Sequence, residues 1–235
     1  TILDASNLLK TSFQIMKNQI VSKQRVTEHG EVRTDSKEVK AMLDLIEQET
    51  SRIESRFLEP ACGNGNFLAE ILERKLFVVE SKYGKCQLEY ERNAIFAVSS
   101  IYGIDILEDN VLECRKRLFI IFDLQYNRLF KDKTKDKSRD ALKYILDHNI
   151  ILGDALTLKI GDNNTQPLIF SEWSFVRGSM LKRRDFTFHS LLENERMKEL
   201  PLFSDLGEDV FIPTPLKEFP LVHFMELGDA KNKKS

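Results

Sequence analysis

The sequence predicts an α/β fold built on a mainly parallel, Rossmann-like sheet. Three observations carry that expectation. Short apolar runs alternate with longer stretches of helical periodicity, the pattern of strands joined by crossover helices. Residues Phe57 to Leu68 (Phe-Leu-Glu-Pro-Ala-Cys-Gly-Asn-Gly-Asn-Phe-Leu) read as a strand, a tight glycine turn and the start of a helix. Three apolar runs end in or beside an acid: Glu59, Asp105 and Asp154. Right-handed crossovers would bring those acids to one sheet edge, where ligands of open α/β sheets bind.

The elements follow in chain order. Asp4 to Gln24 carries Leu8, Leu9, Phe13, Met16 and Ile20 at helical spacing, with Asp4 or Ser6 as N-cap. Gln24 to Asp35 is polar and holds Gly30, so a loop is expected. Ser36 to Arg52 reads as a second helix with Val39, Met42, Leu43, Leu45 and Ile46 inward. Arg56 to Glu59 is the first strand and Gly65 to Ser81 the helix after it. Lys85 to Val98 is helical, and Ser99 to Ile106 is an apolar strand. Glu108 to Phe130 is a long helix with Val111, Cys114, Leu118 and Phe122 on its apolar face. Lys131 to Asp140 alternates in charge and reads as a solvated loop or helix end. Ala141 to Leu146 is a short helix, Asn149 to Leu152 a strand, and Leu168 to Val176 a fourth strand. Asp185 to Leu200 has a helical pattern, followed by a tail punctuated by Pro201, Pro213, Pro215 and Pro220. The expected organisation is therefore a helical segment (residues 1–52), a cofactor-binding domain (53–200) and an irregular tail (201–235).

Composition narrows the function classes. Hydrophobic residues make up 42% and charged residues 31% of 235, which suits a soluble globular chain able to bury a core. A net charge of −2 argues against a strongly basic nucleic-acid binder while leaving room for a local basic face. Cys62, Cys86 and Cys114 have no CxxC spacing, so buried thiols in a reducing cytoplasm are expected. The histidines His29, His148, His189 and His223 are scattered, and no metal site is expected. No apolar run approaches the ~18 residues of a membrane span, and no charged-then-apolar leader pattern opens the chain.

The glycine turn is the most informative segment. A strand-to-helix junction of this kind aims backbone N–H groups at a ligand and lets it approach the main chain. Glu59 at the strand tip disfavours a phosphate and favours a cationic or hydroxylated ligand. The spacing from Glu59 to Asp105 exceeds the ~20 residues of a dehydrogenase fingerprint, and the three-glycine spacing is missing. Both points count against a nicotinamide cofactor.

These motifs resemble the S-adenosylmethionine-dependent, adenine-specific DNA methyltransferases of restriction–modification systems. The residues Glu59-Pro60-Ala61-Cys62-Gly63-Asn64-Gly65-Asn66-Phe67-Leu68, Tyr102-Gly103-Ile104-Asp105-Ile106 and Gly153-Asp154-Ala155-Leu156 match that family's first three motifs in order. The resemblance implies that Glu59, Pro60, Ala61, Cys62, Gly63, Gly65 and Phe67 surround the methionine part of S-adenosylmethionine. It implies that Asp105 takes both ribose hydroxyls, that Ile106 packs on the adenine, and that Asp154 beside Ala155 accepts from the adenine amine. Upstream, His29-Gly30-Glu31-Val32-Arg33-Thr34 is similar to the family's Gly-Glu-Val-Phe-Thr-Pro segment, with Arg33 for the aromatic residue and Asp35 for the proline. Thr34 is its candidate cofactor contact.

The resemblance stops at the catalytic motif. The family's Asp/Asn-Pro-Pro-Tyr/Phe accepts hydrogen bonds from the target amine and stacks on a flipped base. The chain has no Pro-Pro pair. Glu172 and Trp173 are the candidate substitutes, against the alternative that Trp173 is core and Glu172 solvated. Arg177, Lys182, Arg183 and Arg184 are the candidate DNA-phosphate contacts. About sixty residues follow the fourth strand, so an incomplete C-terminal half with an open sheet edge is expected. Two functions remain open: a DNA adenine methyltransferase or its subunit, with DNA and a protein partner or homodimer, and an inactive cofactor-binding module with a structural or regulatory role.

Overall fold

The computed structural model describes residues 34–160, 166–192 and 214–231. The expected helix Asp4 to Gln24, the loop through Gly30 to Arg33 and residues 193–213 lie outside the described residues.

The first helical stretch is broken where one helix was expected. Helix α1 (Ser36–Asp44) is capped by Asp35, whose side chain accepts from the Lys37 N–H at 2.8 Å. The chain then kinks through Leu45 and Ile46 into the single-turn α2 (Glu47–Thr50). Val39 and Leu43 are buried, but Met42, Leu45 and Ile46 are exposed, contrary to their expected inward placement. Helix α1 ends at Asp44, so Leu45 and Ile46 fall in the link before α2 and do not extend its buried stripe.

The main sheet is parallel and has three strands in the order β1 (Phe57–Glu59), β2 (Ile101–Asp105), β3 (Ile150–Leu152). Glu59 pairs with Gly103, and Asp105 with Leu152, so the carboxyl ends of the strands lie together. Four helices wrap one side: α3 (Asn66–Tyr83), α4 (Gln87–Ser99), α5 (Glu108–Phe130) and α6 (Asp136–Asn149). Helix α6 begins within the charged stretch read as a solvated loop or helix end, because Ser138, Ala141, Leu142 and Ile145 form a buried stripe. Strand β2 is buried along its whole length. Its Ile101 joins the main core with Leu72, Leu76, Leu118 and Phe122, while Tyr102 and Ile104 face a second cluster.

That second cluster is supplied by a β-hairpin, and here the expectation of a fourth parallel strand fails. After the short antiparallel pair β4 (Lys159–Ile160) and β5 (Gln166–Pro167), strand β6 (Ile169–Arg177) turns back into β7 (Met180–Thr187). The two pair antiparallel in a sheet of their own, with β8 (Lys217–Glu218) and β9 (Val222–His223) added to β7. Asp185 to Thr187, expected to open a helix, end β7 instead. The hairpin lays Leu168, Phe170 and Phe188 against Tyr102 and Ile104, and the Tyr102 hydroxyl donates to the Ser171 carbonyl at 3.0 Å. On the other face of β6, Trp173 enters the main core. Among the described residues β1 has β2 as its only strand neighbour.

Two buried polar side chains tie the layers together. Lys75 of α3 is fully buried and donates to the Ile53 carbonyl at 3.1 Å, to the Ser55 carbonyl and to Ser100 Oγ. It thereby holds the chain entering β1 against the end of α4. Burial pulls its ammonium pKa down to about 7. Asn149 donates to the Ser99 and Ile101 carbonyls and accepts from Trp173 Nε1 at 2.8 Å, joining β2 to the hairpin.

Candidate cofactor-binding site

The glycine turn bridges β1 and α3. Gly63 and Gly65 take left-handed backbone angles, φ +52° and +84°, which a side chain would strain. At Gly65 a Cβ would also lie 2.6 Å from Cys114 Sγ. The turn is fastened to β2: the Cys62 N–H donates to the Ile104 carbonyl at 2.9 Å, and the Gly63 N–H to Asp105 Oδ2 at 2.8 Å. Gly65 N–H closes the turn on the Cys62 carbonyl at 2.8 Å. The turn therefore spends three of its N–H groups internally. The donors left for a ligand are those of the first turn of α3, which has no side-chain cap.

Asp105 is the hub of the site. It is 8% exposed, and its Oδ1 accepts from the Leu107 N–H at 2.9 Å and Asn110 Nδ2 at 3.2 Å. With the Gly63 bond, three of its roughly four acceptor positions are used. About one acceptor position is left open on the carboxylate. Ile106 beside it is 54% exposed, an apolar surface open to a flat ring.

Glu59 and Phe67 line a cavity of about 220 Å³ with Met42, Leu43, Ile46 and Leu68. Burial raises the Glu59 carboxyl above the usual carboxylate range, partly offset by the Ala61 N–H. Cys62 is buried, and its thiol is pushed up by its hydrogen bond with Cys114 and by burial, so it packs and does not attack. Cys86, by contrast, is exposed, against the expectation of buried thiols. Pro60 and Ala61 are exposed at the strand tip. Thr34 reaches the turn through its carbonyl, which accepts from Asn66 Nδ2 at 3.2 Å.

Asp154 stands next to Asp105 along the edge, since the Gly153 N–H donates to the Asp105 carbonyl at 2.9 Å. Its carboxylate accepts from the Leu156 N–H at 2.8 Å and from Thr157, which lowers its pKa and turns it into its own loop. Ala155 packs on the second cluster. The structure thus joins Glu59, the glycine turn, Thr34 and Asp105 in one place, with Asp154 beside them but shaping its own turn.

The remaining candidates are elsewhere. Trp173 is 3% exposed, with its Nε1 bonded to Asn149, so its ring cannot stack on a base; it is core. Alternation along β6 puts Glu172 on the opposite face, between Arg56 at 2.7 Å and Arg184. It lines a second cavity of about 400 Å³ with Phe57, Leu58, Tyr102, Phe170 and Phe186. The expected basic patch does not form. Lys182 pairs with Glu218 at 2.7 Å, Arg184 with Glu172, and Arg183 holds Asp185 with two hydrogen bonds of 2.8 Å. Arg177 is exposed at the hairpin tip. Lys182 and Arg184 share one face of β7 and Arg183 the other, so the four cations do not present one surface. Sequence reasoning missed Asn110 and Lys75; nothing in their local pattern marks a polar side chain for burial.

These features define an α/β domain whose candidate ligand site lies at the carboxyl edge of a parallel sheet, on a glycine turn clamped by the acid of the neighbouring strand. The model of the MmeI DNA-methyltransferase domain matches residues 32–167, more than half of the chain. The chain belongs to that family, a family of restriction–modification DNA methyltransferases. No curated protein and no solved structure matches it. Among the described residues, no helix is long and apolar enough to cross a membrane.

Proposed function

We propose that the chain binds S-adenosylmethionine at this edge, on a Rossmann-like sheet, and serves adenine methylation of DNA in a restriction–modification system. The observation that carries the reading is the bond from Gly63 N–H to Asp105 Oδ2. It couples the first-strand turn to the second-strand acid, so that one ligand can meet both. Glu59 faces the ammonium of the methionine part, the open first turn of α3 its carboxylate, the free position on Asp105 a ribose hydroxyl, and Ile106 the adenine ring. The bound cofactor supplies the methyl group; the protein's part is to orient it, a positioning effect.

Glu172 and Trp173 do not replace the missing catalytic motif. One is held by two arginines and the other is core. The target-amine acceptor then comes from outside the described residues, and a partner subunit or a second copy is one source for it and for DNA contact. The same observation favours a second reading, a cofactor-binding module without transfer activity. Transfer of tritium from labelled S-adenosylmethionine to unmethylated DNA separates the two. Transfer that survives Glu172→Ala, or appears only with a partner, supports the first reading. Binding without transfer under any pairing supports the second.

A further inference from the structure

The cavity of about 400 Å³ on the hairpin face of β1 is separate from the glycine turn. Leu58, and Arg56 two residues before it, alternate onto that face. None of the residues proposed to hold the cofactor lines it. Its wall is aromatic. Tyr102 and Phe170 meet edge to face with ring centroids 5.5 Å apart, and Phe170 and Phe188 do so at 5.1 Å. Rings set nearly at right angles offer a flat guest both a face and an edge. The volume lies in the range that holds a small molecule.

The mouth is unevenly charged. Glu172 is the carboxylate of the lining, and it faces two guanidiniums, Arg56 at 2.7 Å and Arg184. One positive charge is left over among the three. Arg56 is the looser arginine: its side chain is 61% exposed, whereas Arg184 is fixed in β7 with its Nε sealed from solvent. Arg184 alone can neutralise Glu172 and leave Arg56 to turn toward a ligand.

We propose that this cavity is a binding site for a flat aromatic molecule carrying one negative charge, its rings against Phe170 and its anionic group on Arg56. Charge complementarity selects that occupant. A neutral ring system leaves the surplus charge unmatched, and a cation would meet two arginines. The site stands independently of the S-adenosylmethionine reading, since the two share no residue.

The test uses two dyes with the same rings, anilinonaphthalene sulfonate and uncharged phenylnaphthylamine, titrated into the whole chain at low salt and followed by fluorescence. The expected result is saturable binding of one sulfonate per chain. Arg56→Gln should weaken the sulfonate at least threefold. Glu172→Gln, which frees Arg56, should strengthen it at least twofold. The uncharged dye should stay within twofold in both variants. Leu58→Trp fills the cavity and should abolish binding of both dyes, with circular dichroism confirming the fold; Leu192→Trp, also in the lining, serves if that variant does not fold. No saturable binding, sulfonate affinity that ignores both charge changes or moves the same way in both, or binding that survives the filled cavity overturns the proposal.

Discussion

Gly65→Ala tests the architecture of the turn most sharply, because two separate costs meet at one position. At φ +84° a residue with a Cβ sits in the left-handed region, at about 1–2 kcal/mol. The new Cβ would lie 2.6 Å from Cys114 Sγ, an overlap that forces α5 or the turn to move at about 1–3 kcal/mol. The sum, about 2–5 kcal/mol, corresponds to a fall in melting temperature of roughly 4–20 °C for a chain this size. Gly63→Ala is the internal control. Its φ is +52°, and nothing lies within 4 Å of the place its new methyl would occupy, so the backbone cost of about 1–2 kcal/mol stands alone. The double variant Gly65→Ala/Cys114→Ala removes the overlapping sulfur and should recover most of the packing cost, a coupling of about 1–3 kcal/mol. Urea unfolding followed by circular dichroism on the four proteins and the Cys114→Ala parent measures each difference. If Gly65→Ala costs no more than Gly63→Ala, or if Cys114→Ala fails to relieve it, the packing of α5 on the turn is wrong.

Three further substitutions, at Lys75, Asp105 and Glu172, test the polar groups that tie the fold together. Lys75→Met strands the Ser55 carbonyl, while the Ile53 carbonyl keeps its bond from Ser100, and should cost about 1–3 kcal/mol by urea unfolding. With Lys75 held at about 7 in the folded chain and at about 10.4 when unfolded, the unfolded state binds the extra proton between those values. Wild-type stability relative to Lys75→Met should therefore rise from pH 7 to pH 9 and stay flat below pH 7; a gap that narrows over that range contradicts it. Asp105→Asn places an amide N–H against one of the three donors now satisfied and should cost about 1–3 kcal/mol in the same assay. Glu172→Gln loosens the links to Arg56 and Arg184 by less than about 1 kcal/mol, and should leave S-adenosylmethionine affinity within twofold in a filter-binding titration.

The parts of this fold that are written locally could be read from sequence, and the parts set by distant packing could not. The run Tyr102-Gly103-Ile104-Asp105 is apolar, short and closed by an acid, and it forms a fully buried strand. The helix Glu108 to Phe130 was legible because its apolar stripe runs its whole length. The segment Leu168 to Val176 is recognisably a strand, but nothing in it says which sheet it joins; that depends on Phe170 and Phe188 meeting Tyr102 across the second cluster. Strand β7 was hidden because Lys182, Arg183 and Arg184 read as a basic patch, whereas each is spent on an ion pair: Arg184 across the hairpin on Glu172, Lys182 on Glu218 of β8, and Arg183 on Asp185 of its own strand. The burial of Trp173 was available from parity: it alternates with Glu172, and only one of two neighbours on a strand can face the core. Glu59 and Asp105 do end their strands, whereas Asp154 lies two residues beyond the end of β3, and the hydrogen bonds of the three acids could not be read. That Asp105 is largely occupied by Gly63, Leu107 and Asn110 is a matter of loop geometry beyond the pattern.

The central claim is that Glu59, the glycine turn and Asp105 together hold S-adenosylmethionine. Isothermal titration of the purified chain with S-adenosylmethionine, alongside Asp105→Ala shown to be folded by circular dichroism, tests it most directly. One cofactor bound per chain, with affinity lost or reduced at least tenfold in Asp105→Ala, is the predicted result. No heat of binding from folded wild-type protein, or equal binding by both proteins, would contradict it.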